Sequence, residues 1–324
     1  MPEPLLYWKA IGATAIVSAA CVLAMAGVRR PATATRLNSA CVLGMALGLA
    51  LGYCVLSLRL TWPPVNGLDR LLAIVVPVAL VIELIAGFQR VPTWSVWLLR
   101  VSLAAATPRI LLHGSIYLHG SGNEWTTSQA VAALALSGAL LAGVWGLLSW
   151  LSQRSPGISI PFALSLATQC AGLTVMMAGY IKGGEAAFPL TATLVATTLA
   201  AKLISRRAGV PAHFSATIGI GVVGLFGLLY IGRFFGRLST GCALTILLAP
   251  LLCWLTETPH LRSRKPWIVG SLRLMLVAIP LVVVLAMAKR EFDRNMAPLL
   301  GRCPASTNLP GLDLLPQPVD QIVR

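Results

Sequence analysis

Long, uninterrupted apolar runs are the main pattern of this sequence, and they recur from Trp8 to Ala288. Each run holds 16 to 24 nearly uncharged residues, and about 20 residues in a helix cross a ~30 Å hydrocarbon core. The predicted spans are 8–28, 38–58, 71–88, 94–112, 128–151, 161–181, 189–204, 214–236, 240–256 and 267–288. The sequence therefore predicts an all-α fold, a polytopic integral membrane helix bundle of about ten transmembrane helices with short loops.

The chain divides by sequence into one transmembrane helical domain, 1–288, and a tail, 289–324. A barrel is disfavoured because the runs lack the alternation of apolar and polar residues that a barrel strand needs. The seventh span is the shortest, so a half-helix is an alternative there. The tail is predicted to be extended because of its prolines, which are Pro298, Pro304, Pro310, Pro316 and Pro318.

Composition excludes a water-soluble globule of ordinary type. Hydrophobic residues make up 57% of the chain and charged residues 11%, the mean hydropathy is +0.81, and soluble domains carry about 25% charged residues. The seven Cys include no CxxC pair, and six of them lie inside predicted spans. This pattern indicates no metal site, redox site or cofactor. Cys303, in the tail, is expected to be a free thiol.

The net charge of +15 is interpreted first as a topology signal. Alternate loops form two sets with different charge. The first set holds ten Lys and Arg and comprises 29–37, 89–93, 152–160, 205–213 and 257–266. The second set holds four, which are Arg59, Arg70, Lys182 and Arg237. The first set is expected to be cytoplasmic, with both termini extracytoplasmic, although the tails bring the other side to ten as well. The excess charge is expected to attract anionic headgroups of the lipid bilayer, not nucleic acid. The chain has twenty Arg and five Lys, a ratio typical of a GC-rich bacterial genome. The expected location is therefore a bacterial cytoplasmic membrane.

Small residues recur every four positions along the second span, at Ala40, Gly44, Gly48 and Gly52. Such a face lets another helix backbone approach closely in lipid. Packing inside the chain is the favoured interpretation, because a ten-helix protein offers many internal neighbours. A homo-oligomeric or hetero-oligomeric contact through this glycine face is the alternative.

Glu83 is the one acidic residue inside a predicted span, and an ionisable group at that depth is costly unless it is paired or hydrated. Arg100 lies at a similar depth in the next span, across the short turn 89–93. The two residues are predicted to form an ion pair. A static pair that fixes helix packing is favoured over a proton or ion relay, because no second carboxylate is predicted inside a span.

Four polar residues around the predicted outer end of the fourth span form a second candidate site: Arg109, His113, His119 and Glu124. Their spacing matches no recognised metal-ligand pattern. One hypothesis is an anion-binding mouth for a phosphate or carboxylate headgroup. Anchoring of this segment at the membrane interface by its Trp and Tyr residues is the favoured interpretation.

A polar path through the membrane is a further hypothesis, based on Gln169, Thr191, Thr193, Thr197 and Thr198. Hydrogen bonds from the threonines to their own helix are the common alternative. Lys202, Arg233 and Arg273 lie near predicted helix ends and are expected to extend to the membrane surface without a functional role.

Missing motifs narrow the function classes. The sequence has no Gly-rich phosphate loop, no HExxH and no GxSxG. Gly219, Gly221 and Gly224 match GxGxxG, but they lie in a membrane span without a preceding strand. The favoured function is a secondary carrier or permease for a small solute or lipid-like molecule. The alternatives are a membrane-embedded enzyme acting on a lipid-linked substrate at the outer face, and a non-catalytic accessory or assembly subunit. A catalytic role is the less favoured class.

Overall fold

A computed structural model describes residues 4–27, 34–58, 61–88, 91–115, 126–155, 157–209, 214–257 and 266–300. Its regular structure within these ranges consists of ten helical runs and no strand. The runs are α1 (Pro4–Gly27), α2 (Ala34–Val55), α3 (Gly67–Arg70, Leu71–Val75 and Val76–Ala86), α4 (Thr93–Leu112), α5 (Thr127–Arg154), α6 (Ser159–Met177), α7 (Ile181–Ala208), α8 (Ser215–Phe234), α9 (Thr240–Glu257) and α10 (Pro266–Leu300). The all-α, polytopic prediction is confirmed.

Nine of these runs are long and apolar enough to cross a membrane by length and composition. The remaining run is α3, which covers the third predicted span as three consecutive segments. The seventh span, predicted as 189–204, belongs to a helical run that begins at Ile181 and has 28 residues. Residues Lys182–Glu185, which lie between the sixth and seventh predicted spans, are therefore helical. Gly184 packs against Met176, and this close contact holds the segment against the end of α6.

The boundary of the tail also differs from the prediction. α10 continues to Leu300, so residues 289–300 are helical and not extended. Residues from Lys289 to Asn295 contain no Pro or Gly, so no helix breaker interrupts this stretch. Residues 301–324, with Cys303 and the other four prolines of the tail, lie outside the described residues.

Two helices depart from α-helical geometry, and each departure adjoins a proline. In α3 a π-helical turn over Leu71–Val75 precedes Pro77. In α9 a 3₁₀ helix begins at Ala249, next to Pro250, and continues to Glu257. Proline has no N–H for the bond to the carbonyl four residues earlier, and its ring crowds that carbonyl, so widening or tightening of the helix relieves the conflict.

Contacts between helix ends show that alternate connections share a face. Arg100, near the start of α4, bonds Ser215, the first residue of α8, at 3.0 Å. Arg273, near the start of α10, bonds Ser155, after the end of α5, at 2.8 Å. We call this side the basic face. It holds the described helix ends that these contacts join, and its name refers to the larger set of ten Lys and Arg in the sequence between such ends. The helices therefore run antiparallel in succession.

The opposite face is joined by its own polar contacts. Tyr7, in the first turn of α1, donates to Glu185, at the start of α7, at 2.7 Å. The backbone N–H of Arg237, before α9, donates to the carbonyl of Ala178, after α6, at 3.0 Å. The Tyr7 contact places the N-terminal end of α1 beside the start of α7, on the side away from the basic face.

Helix α8 is the centre of the bundle, because 94% of the residues in its most apolar stretch are buried. Its glycines face different neighbours, because a Cβ at Gly219 would meet Glu83 of α3, one at Gly221 would meet Leu164 of α6, and one at Gly224 would meet Leu190 of α7. The glycine-rich sequence that matches GxGxxG thus provides close approach for three helices.

The glycine face of α2 packs against α1. A Cβ at Gly44 would lie 2.9 Å from the backbone oxygen of Ser18 and 2.8 Å from Val22 Cγ2. Gly48 faces Ser18, and Gly52 faces Thr14 and Pro189. Helix α1 therefore covers the face that the sequence offered as an oligomer contact.

Replacement of Gly44 by Ala should destabilise the α1–α2 pair, because the new methyl group overlaps a backbone oxygen that cannot rotate away. We expect a loss of about 1–3 kcal/mol in the free energy of unfolding, measured by thermal or denaturant unfolding in detergent. Gly12→Ala in α1 is the matched control, because no atom lies within 4 Å of its added Cβ. Equal stability of the two variants would disprove the close contact.

Candidate functional site

Glu83 and Arg100 form a two-point ion pair inside the helix bundle. Arg100 donates from Nε to Glu83 Oε1 at 3.0 Å and from Nη2 to Oε2 at 2.9 Å. Glu83 is 0% exposed and Arg100 is 5% exposed. A parallel pair of charge-assisted bonds is the strongest arrangement available to these side chains, so each charge has its counter-charge despite the loss of water.

The Arg100 guanidinium has further partners besides Glu83. Its Nη2 also donates to Ser215 Oγ of α8 at 3.0 Å, and its carbon lies 5.1 Å from the ring centre of Trp97 and 5.5 Å from that of Trp145. Two indole faces stabilise a cation in a dry environment. We call Glu83, Arg100 and Ser215 the Glu83 cluster.

Helix lengths explain why this pair meets. Glu83 lies one turn before the end of α3, and Arg100 lies two turns into α4, so the two antiparallel helices bring both side chains to a similar depth. Gly219 lies against the Glu83 carboxylate. A side chain at this position would occupy the space of the carboxylate. Asn38 of α2 donates to the Glu83 backbone carbonyl at 3.2 Å, which fixes the end of α3.

A second buried arginine lies on the same face, where the sequence predicted only a surface-seeking side chain. Arg273 is 3% exposed. It forms an ion pair with Glu257 and donates to Thr256 Oγ1 at 2.7 Å, Ser159 Oγ at 3.1 Å and Ser155 Oγ at 2.8 Å. The expectation for Arg273 is wrong because these partners make the interior less costly than extension to the surface. We call these five residues the Glu257 cluster.

The two clusters have the same plan. In each, a Glu at the end of one helix pairs with an Arg in the next helix, 17 residues later for Glu83 and 16 for Glu257. In each, the Arg also bonds a Ser that begins a third helix, which is Ser215 of α8 or Ser159 of α6. Polar bonds thus join three helices at two places on the basic face.

A further buried carboxylate lies on the opposite face. Glu185 is 6% exposed and accepts from the Tyr7 hydroxyl at 2.7 Å. Nearby in the fold, Asp69 accepts from Thr61 at 2.6 Å, and burial together with the Asp69 charge raises the pKa of Tyr180 in the α6–α7 connection. The predicted spans place Glu185 in a loop. The glycine pair next to it is the sequence feature that indicates close packing at this position.

The structure gives only part of the predicted outer-face site. Arg109 and His113 are both exposed at the end of α4, and the His113 carbonyl accepts from Arg70. His119 and Glu124 lie outside the described residues. The described part of the structure therefore does not bring the four side chains together.

The residues of the predicted polar path do not line one path. Thr197 donates to the carbonyl of Thr193 at 2.6 Å, and Thr198 donates to that of Leu194 at 2.6 Å, which is the self-bonding alternative. Gln169 and Thr191 instead line an apolar groove of about 640 Å³ between α1 and α7. These polar groups thus belong to separate environments.

Within the described ranges, no group of three or more His, Cys, Asp or Glu is placed to hold a metal ion. No protein-family model matches the sequence, and no curated protein shows significant similarity to it.

A double-mutant cycle measures the coupling of Glu83 and Arg100. Glu83→Gln alone or Arg100→Gln alone should each lower the free energy of unfolding by about 3–5 kcal/mol, because each leaves a buried charge without its partner. The double variant should lose much less than the sum of the two single losses. Unfolding of all three variants in one detergent tests this, and additive losses would contradict the pairing.

Proposed function

We propose that the protein is a secondary carrier for a small solute or a lipid-like molecule, and that the two clusters hold its basic face closed. One observation carries this proposal: at two places on that face, a Glu and an Arg from consecutive helices bond a Ser that begins a third helix. Carriers alternate between states open to either side of the membrane, and each state needs contacts that close the other side.

Ion pairs are suited to a contact that must break and re-form. A buried ion pair adds little net stability, because desolvation of the two charges offsets their attraction. Its strength instead depends on geometry, so a modest separation of the helices replaces the protein partners with water. The polar junctions therefore close the face, and opening the face does not carry the large cost of separating an apolar interface.

The helices that carry the glutamates support the same proposal. Glu83 lies in α3, which contains the π-helical turn, and Glu257 ends the 3₁₀ part of α9. Interrupted helices are common at transporter sites, and π-turns and long 3₁₀ segments are frequent at functional positions. The glycines of α8 face three neighbours, which leaves small contact surfaces for helix movement.

Transport in proteoliposomes tests the carrier proposal. We expect the purified protein to accumulate at least one solute from a labelled panel of amino acids, sugars, phosphate and organic anions above protein-free vesicles. Glu83→Gln should reduce that accumulation about tenfold, because a carrier that cannot close one side does not hold a gradient. Asp293→Asn, at an exposed position of α10, is the matched control.

Two results would count against this assignment. No accumulation of any solute would reject the carrier and favour an accessory subunit or an enzyme. Normal transport by Glu83→Gln, with lowered thermal stability, would reject the closing role and leave a static pair.

Cysteine labelling tests the closing role without a known solute. Cys41 is 3% exposed and lies one turn after Asn38, which bonds Glu83. In a variant that retains only Cys41, Glu83→Gln should raise the rate of labelling by a maleimide about tenfold, because the basic face opens more often. Cys170 alone, buried in α6, is the control. An unchanged rate at Cys41, or an equal rise at both cysteines, would contradict local opening.

A further inference from the structure

A cavity of about 740 Å³ opens on the basic face beside the Glu257 cluster. It lies among the α5–α6 connection, the end of α7, the end of α9 and the start of α10. The lining residues that carry its chemistry are Ser155, Ser159, Lys202, Arg206, Glu257 and Arg273. Its size falls within the range of about 300–1,000 Å³ that is typical of small-molecule sites.

The lining has an excess of positive charge. Three cationic side chains face one carboxylate, and Glu257 is already paired with Arg273. Lys202 and Arg206 make no hydrogen bond or ion pair with another residue in the described part of the chain, and Lys202 is only half exposed. An ammonium group held partly away from water favours a counter-ion, so an anion fits this cavity.

Neutral donors surround the same space. Ser155 and Ser159 accept from Arg273, so each hydroxyl proton is free to donate elsewhere. Arg273 uses Nε, Nη2 twice and one N–H of Nη1 in the bonds of its cluster, which leaves one Nη1 proton. The Lys202 ammonium, the Arg206 guanidinium and several neutral donors match a ligand group with several acceptor oxygens.

The rim of the cavity indicates access from the membrane interface. Trp267, in the first turn of α10, lines the cavity and is 70% exposed, and exposed Trp is typical of the boundary between lipid and water. Lys202 and Arg206 are four residues apart on α7, so both extend from one helix side toward this boundary.

We propose that this cavity binds a phosphate monoester or diester, in which Lys202 and Arg206 neutralise the phosphate and Ser155 and Ser159 donate to its oxygens. This site is independent of the carrier proposal. Two sources supply the same chemistry, namely the headgroup of an anionic lipid and a soluble phosphate ester.

Two binding measurements on the purified full chain distinguish these sources. Glycerol 3-phosphate, titrated into protein in a neutral detergent and followed by calorimetry, tests the soluble source. Native mass spectrometry after exchange into vesicles that contain phosphatidylglycerol and phosphatidylcholine tests retention of the anionic lipid. Lys202→Gln and Arg206→Gln are the test variants, and Arg207→Gln is the matched control, because Arg207 is adjacent, exposed and outside the cavity lining.

We expect Lys202→Gln and Arg206→Gln each to weaken binding about tenfold, which is the usual effect of one charge-assisted hydrogen bond. Arg207→Gln should change binding less than twofold, and thermal unfolding should show all variants folded. Saturable glycerol 3-phosphate binding assigns a soluble ligand, and selective retention of phosphatidylglycerol assigns a lipid. Absence of both, or an equal loss with Arg207→Gln, would overturn the proposal and indicate only general surface attraction.

Discussion

The need to pair buried guanidinium groups constrains this bundle more than any other interaction. Arg100 and Arg273 are 5% and 3% exposed, and an arginine does not lose its charge to escape the cost of burial. Each must therefore find a carboxylate and further acceptors inside the protein. Because each arginine and its partners come from three different helices, satisfying one side chain fixes the relative depth of three helices.

That constraint works together with the small residues of the bundle. Helices in lipid gain little from apolar association, so close packing and polar bonds determine their arrangement. Gly219 of α8 allows Glu83 to approach the central helix, and a larger side chain there would displace the carboxylate from Arg100. The charges and the glycines are thus parts of one requirement, since the ion pair forms only where a backbone without a side chain leaves space for it.

The extent to which the structure follows from the sequence differs between the two clusters. Glu83 and Arg100 lie well inside long apolar runs, so both are visible as costly charges, and the short turn between their helices matches their depth. Glu257 follows the ninth predicted span and Arg273 lies near the start of the tenth, where a long side chain ordinarily reaches water. Glu257 and Arg273 are 16 residues apart, and Glu83 and Arg100 are 17 apart. This similar spacing is the feature of the sequence that indicates the second ion pair. The π-helical turn before Pro77 depends on how the chain relieves a backbone conflict, which residue spacing does not specify.

The two clusters share a plan but differ in their access to solvent, and this difference has a chemical consequence. Glu83 is fully enclosed, and Arg100 is buried beside two indole rings, so an anion reaches that guanidinium only after the helices separate. Arg273 lines an open cavity beside Lys202 and Arg206, and the Glu257 side chain is 15% exposed. An anion held by Lys202 and Arg206 would lie beside the Glu257–Arg273 pair, because all four residues line the same cavity. The proposed ligand would therefore lie against the Glu257 cluster, whereas no residue of the Glu83 cluster lines the cavity.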